Sequence, residues 1–220
     1  MEPDNPLLDE YILSLARNPR PKVCFVGTAS GDSETYRLRS YQSFARHNCT
    51  PSHLQLFDRT LDDIRPFVFD QDVIYVGGGN TVNLLAVWRV HGLDRILREA
   101  LAQGVVLCGI SAGSIRWFEA GVTDSFGLTL SPLRDGLGFL PGSNCPHYDG
   151  EPQRRPTYQR LVREGFPAGY AADDGCALHF VAGKLKRVVT SRAKAAAYRV
   201  EMREGDVAET AISSDYLGSR

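Results

Sequence analysis

Apolar positions along this chain fall into two rhythms. Lys22 to Thr28 (KVCFVGT), Asp72 to Val76 (DVIYV) and Val105 to Ile110 (VVLCGI) are short, nearly uninterrupted apolar runs. Their length and β-branched content predict strands buried on both faces. His53 to Phe57 reads as a further strand, second in chain order. Between these runs the spacing turns helical. Leu7, Leu8, Ile12, Leu13 and Leu15 predict a helix over Pro6 to Arg17, stopped at Asn18-Pro19 because proline cannot continue it. Further helices are predicted from just beyond Asp32 to about Arg46, over Asn80 to Arg89 and over Leu93 to Gln103. Strand and helix alternating in this way imply an α/β fold, a mostly parallel sheet with helices on both faces. Chemistry in such sheets gathers at the carboxyl ends of the strands. From Gly169 the rhythm changes to short strands at Ala177 to Val181, Leu185 to Thr190 and Ala196 to Met202, with a turn at Ala182-Gly183. These predict antiparallel strands at one edge near the C-terminus. Ser213 to Arg220 reads as a frayed tail.

The length of 220 residues suits one α/β domain over 1–220, with 1–20 as a helical extension. Twenty-five Lys and Arg against 26 Asp and Glu leave a net charge of −1, which disfavours nucleic acid as a partner. The five cysteines form no C-x-x-C pair, and three lie in apolar runs, as expected of a reduced, cytoplasmic protein. The first twenty residues carry acids before their apolar positions and no basic leader, so no signal peptide is expected. No run of about 18 apolar residues occurs, so neither a membrane span nor a membrane partner is expected. His, Cys and Asp are scattered without metal-ligand spacing, and no metal is expected.

Gly109-Ile-Ser111-Ala-Gly113 is the most informative string, a G-x-S-x-G directly after a predicted buried strand and before a helical segment. A sharp strand-to-helix turn of this kind lifts the serine oxygen clear of the sheet, and the helix N-terminus faces any oxyanion formed there. The same string also suits a glycine-bracketed turn with a capping serine. Cys108, three residues earlier, reads as an inert buried thiol. Sorting the histidines for a base leaves His147. His47 and His91 end helices and His53 and His179 sit in strand-like runs, whereas His147 lies in the Pro141 to Gly150 loop. Asp173 and Asp174 follow a short apolar run, where one of them can orient an imidazole; two Asp before Gly also suit a plain turn. The order Ser, His, Asp argues against the α/β-hydrolase fold, in which the acid comes before the histidine. Gly77-Gly78-Gly79-Asn80-Thr81 follows another strand and fits either an oxyanion-binding amide or a permissive turn capped by Asn80 or Thr81. Arg154 and Arg155 could grip a substrate carboxylate or simply open a helix; Arg155 precedes Pro156 and is expected outside that helix.

Together VGGGNT, GISAGS, the Pro-His-Tyr of the His147 loop and ADDGCAL resemble the peptidase E (aspartyl dipeptidase) family of serine peptidases, which includes cyanophycinase. The likeness runs from about Lys22 to Tyr198. It implies a fold like class I glutamine amidotransferases and no cofactor. It also implies Ser111 as nucleophile, His147 as base, Asp174 as acid and the amides of Gly78, Gly79 and Ala112 as oxyanion donors. Family members often carry glutamate at the acid position, so Asp174 is a departure that requires a closer approach to His147. The expected function is hydrolysis of short peptides, with dipeptides beginning with Asp as candidate substrates. Two other readings are carried: an amidase or other hydrolase of this fold acting on a non-peptide amide, and a small-molecule binding protein retaining the elbow. A homo-oligomer is left open.

Overall fold

The structure, a computed structural model, describes residues 4–219. Contacts divide the chain into two compact units, residues 1–113 and 114–220.

The first unit contains α1 (Leu7–Ser14), β1 (Lys22–Val26), α2 (Glu34–Phe44), β2 (Thr50–Leu54), α3 (Arg65–Phe69), β3 (Val73–Val76), α4 (Thr81–His91), α5 (Leu93–Ala102) and β4 (Val106–Gly109); α6 (Ala112–Ile115) straddles the division. Its four strands are all parallel, in the order β2-β1-β3-β4. Val23, Phe25, Val73 and Tyr75 share one face and pack with Phe44 of α2 and with Ile12 and Leu13 of α1. Cys24, Val26, Ile74 and Val76 point to the other face and are equally buried. That double burial is why these strands read as continuous apolar runs. Trp88 of α4, fully buried, donates to Thr28 Oγ1 at 3.0 Å just beyond β1.

The expected strands and helices of this unit are present with shifted ends. The largest shift is β2, which runs over 50–54 rather than 53–57. Beyond Leu54 the main-chain N–H groups of Leu56 and Phe57 are taken by Asp32 Oδ2, at 2.6 and 2.9 Å, so the ladder stops there. The strand begins earlier because an edge position tolerates Pro51. The first helix ends at Ser14, before Arg17, in a turn closed by Leu15 and Ala16 N–H groups on Ile12 and Leu13 carbonyls.

The second unit holds β5 (Phe118–Thr123), β6 (Ser131–Leu133), β7 (Leu140–Cys145), α7 (Arg154–Arg163), β8 (Gly169–Ala172), β9 (Cys176–Val181), β10 (Lys184–Thr190), β11 (Ala197–Arg203), β12 (Asp206–Ile212) and β13 (Asp215–Tyr216). Six strands form a mixed sheet in the order β12-β11-β8-β7-β5-β6, and β13-β10-β9 form another. β7 is parallel to both β5 and β8, whereas β11 and β12 add antiparallel. Tyr158, Leu161 and Val162 of α7 pack with Ala120, Val122, Cys145, Ala171 and Val200 of the sheet.

The antiparallel strands near the C-terminus are present, including the two-residue turn at Ala182 and Gly183, both at positive φ, but they are not additions at one edge: β9 and β10 form a sheet of their own with β13, and β11 lies inside the six-stranded sheet. A second turn of this kind, at Glu204 and Gly205, joins β11 to β12. The chain from Ser213 departs from the frayed tail expected of it. Asp215 and Tyr216 pair with Val189 and Thr190, and Asp215 takes an ion pair from Arg187 at 2.6 Å. Arg220 lies outside the described residues. The Pro141 to Gly150 segment is also not all loop, since its first half is β7.

Candidate active site

Ser111 stands directly after β4 with φ of 55°, the left-handed region that side chains avoid. The turn is held by main-chain atoms. Ile110 N–H donates to Val76 O at 3.1 Å and Gly113 N–H to Ile110 O at 2.8 Å. A Cβ on Gly109 would lie 2.1 Å from Gly113 O, and one on Gly113 would lie 2.3 Å from Val76 O. Only glycine fits at either position. Thus G-x-S-x-G is required here by the close passage of β3, β4 and the helix start.

The glycine loop after β3 lies alongside. A Cβ on Gly78 would be 3.1 Å from Ser111 Cβ and 3.6 Å from its Oγ, so the Gly78 backbone borders the hydroxyl directly. Gly79 has φ of 133°, with its α-carbon turned against Ala29 O. Asn80 caps α4 by accepting Asn83 N–H at 2.8 Å, and its own N–H donates to Ala29 O. Ala112, the residue after the serine, is buried.

In the second unit, His147 follows Cys145-Pro146 at the end of β7, also at positive φ, 56°. Its Nδ1 lies 2.7 Å from Asp174 Oδ1. That contact orients the ring through its Nδ1 edge. Asp174 stands in the turn between β8 and β9. Its neighbour Asp173 turns elsewhere: Asp173 Oδ2 accepts Ala196 N–H at 2.9 Å, and burial pushes its carboxyl above the usual carboxylate range, with the Ala196 bond opposing. Of the two aspartates, Asp174 meets the histidine.

Arg154 does not offer a free guanidinium. Buried to 3% exposure, it donates to Glu151 Oε2 at 2.7 Å and to Val122 O at 2.9 Å, tying α7 to β5. Arg155 is more open, yet its guanidinium lies against the rings of both Tyr148 and Tyr198, 4.7 and 4.8 Å from their centres, and 3.4 Å from Glu209. It belongs to the first turn of α7 rather than lying outside it. Pro156 is accommodated there because N–H groups of a first turn need no helical acceptor.

All five cysteines are free. Burial pushes the Cys24, Cys145 and Cys176 thiols up to about 12. Cys108 is half-buried and donates to Ile74 O at 3.5 Å, a packing role in β4. Among the described residues no group of three or more His, Cys, Asp or Glu is placed to hold a metal ion, and no helix is long and apolar enough to cross a membrane.

A serine raised on a strand-to-helix turn and a histidine bonded to a carboxylate are, each in its own unit, groups that hydrolytic enzymes use, and the family match places the chain in that class. The chain belongs to peptidase family S51, which residues 1–188 match. It is similar to the uncharacterized peptidase YgaJ of Bacillus subtilis (strain 168), 55% identical over 219 residues, covering 99% of this chain and 94% of that protein. Peptidase E of Haemophilus influenzae is 29% identical over 133 residues, 56% of this chain and 61% of that protein. Among solved structures, a peptidase from an acI-B1 Actinobacterium superposes with a TM-score of 0.70 over 95% of this chain and 89% of that chain. At 19% identity, that match shows a shared fold.

Proposed function

We propose that this peptidase is of the serine type and cleaves short peptides in the cytoplasm. Ser111 attacks the scissile carbonyl, His147 takes its proton through Nε2 and returns it to the leaving amine, and Asp174 holds the imidazole. The amides of Gly78, Gly79 and Ala112 are the proposed donors to the oxyanion. The observation that carries this reading is the Ser111 turn: a left-handed serine between two glycines at which any Cβ would press on main-chain atoms, bordered by the Gly78 backbone.

The test is covalent. A fluorophosphonate should label the tryptic peptide containing Ser111, and Ser111→Ala should remove both the label and most of the rate, on the order of 10⁶ in kcat. A purified enzyme that cleaves peptides at the same rate with alanine there would end the assignment. For substrate class we propose dipeptides beginning with Asp, read by Arg155, whose guanidinium rests against the Tyr148 and Tyr198 rings. The expected outcome is a higher kcat/KM for Asp-Leu than for Asn-Leu, by about 30-fold or more, falling in Arg155→Ala. An equal preference in both enzymes would assign the reading to another residue.

A further inference from the structure

Asp174 is a short side chain with two torsions, so where its carboxyl lies is decided almost wholly by where its main chain lies. The main chain there leaves β8, while the segment carrying His147 leaves the neighbouring parallel strand β7. One main-chain bond continues past the paired strands, from Tyr148 N–H to Ala172 O at 3.1 Å. Beyond it the link passes to a side chain: Asp149 Oδ1 accepts the N–H of Asp174 at 2.8 Å. The next residue, Gly150, presents its bare α-carbon to the same carboxyl, and a Cβ there would lie 2.5 Å from Asp174 Oδ2. Asp174 is therefore held at both ends by a single four-residue segment. His147 bonds its carboxylate, Asp149 bonds its amide, and Gly150 leaves room between.

We propose that Asp149 is a positioning residue, which draws the Asp174 turn onto the His147 loop so that the shorter acid reaches Nδ1. The inference rests on the reading of His147 and Asp174 as base and acid. An aspartate is an electrostatically poor choice for mere loop stability at this place. It adds a negative charge beside Asp174 and near Asp173, whose carboxyl it helps to push upward. What the geometry uses is an acceptor oxygen of the right reach, and asparagine offers the same one.

The experiment compares Asp149→Ala, Asp149→Asn and Gly150→Ala in the full chain by two readouts. The first is kcat and KM on a dipeptide that the wild type cleaves. The second is the downfield proton signal of an imidazole N–H bonded to a carboxylate, recorded at low temperature and assigned by its loss in His147→Gln. Asp149→Ala should lower kcat by about 10²-fold with KM unchanged, and its downfield signal should broaden away. Asp149→Asn should keep the signal and stay within about tenfold of wild type. Gly150→Ala, which crowds Asp174 Oδ2, should lose both, and it carries the test should Asp149→Ala fail to fold. Wild-type kcat and signal in Asp149→Ala would overturn the proposal, as would equal losses of kcat in the alanine and asparagine variants with the signal kept in both. The signal is independent of turnover. Its loss in Asp149→Ala, in an enzyme indifferent to Ser111→Ala, would uphold the grip on Asp174 while removing the serine-peptidase reading.

Discussion

The turn at Ser111 and the pair formed by His147 and Asp174 are built on opposite principles. Around Ser111 the turn is held by main-chain atoms, with Gly109 against Gly113 O, Gly113 against Val76 O, and Ile110 N–H on Val76 O. The His147 and Asp174 side chains meet through one hydrogen bond between residues 27 apart in the chain, with 25% and 38% of the two side chains exposed, and Asp149 Oδ1 holds the amide of Asp174. A partly exposed pair of this kind contributes about 0–1 kcal/mol to folding, so the bond adds little stability. Ser111 and His147 both stand in the left-handed region, which persists only where the surrounding structure over-determines it. The serine turn is fixed by main-chain packing at its glycines, whereas the meeting of His147 with Asp174 depends as well on the reach of two side chains.

That contrast can be broken by substitution. Asp174→Asn should cost about 10⁴ in rate by favouring the wrong imidazole tautomer, with thermal unfolding unchanged. Asp173→Asn should leave the rate near wild type, because that carboxyl serves the Ala196 amide and not the histidine. Kinetics and a melting curve on both variants check this; the reverse ranking would transfer the acid role to Asp173. A smaller effect on rate is expected from Gly109→Ala, about 10²-fold, since the added Cβ must displace Gly113 O and with it the serine. Here the loss should come with about 1–3 kcal/mol of destabilisation in denaturant unfolding. A Gly109→Ala enzyme that is slow yet fully stable would show that the turn is no more rigid than the His147 pair.

The same contrast explains what could be read from the residues alone. The parallel strands of the first unit are short strings buried on both faces, and the Ser111 turn is a local string whose glycines are dictated by backbone contact. Both are written contiguously. The second unit is less legible: β5 carries Gly121, β6 carries Pro132 and β7 carries Pro141 and Gly142, so they lack a strand signature and become strands through pairing with neighbours. β12 had a readable sign in the Glu204-Gly205 turn, the counterpart of Ala182-Gly183. The resemblance implies Asp174 rather than Asp173 as the acid, and the two carboxyls do part in the structure, Asp174 to His147 Nδ1 and Asp173 to the Ala196 amide. Asp149 itself gave only the signal of a turn, in Asp149-Gly150. Arg154 opens α7, one of its two readings, but as a buried rather than a solvated arginine, and Glu151, three residues earlier, is the local sign of the ion pair it makes.

The conformation of Ser111 also bears on how this chain can change over evolutionary time. Holding a residue with a Cβ in the left-handed region costs roughly 1–2 kcal/mol, whereas glycine there gives back about 0.5–1 kcal/mol through the freedom of its unfolded chain. Against a net folding free energy of about 5–15 kcal/mol, the balance is small but falls on the side of glycine. Ser111→Gly should therefore melt at or slightly above the wild-type temperature while losing the hydroxyl altogether, a comparison that differential scanning calorimetry can make. On the proposed role of Ser111, a lineage released from selection for turnover would meet little thermodynamic resistance to that replacement, and a serine kept there would mark continued selection.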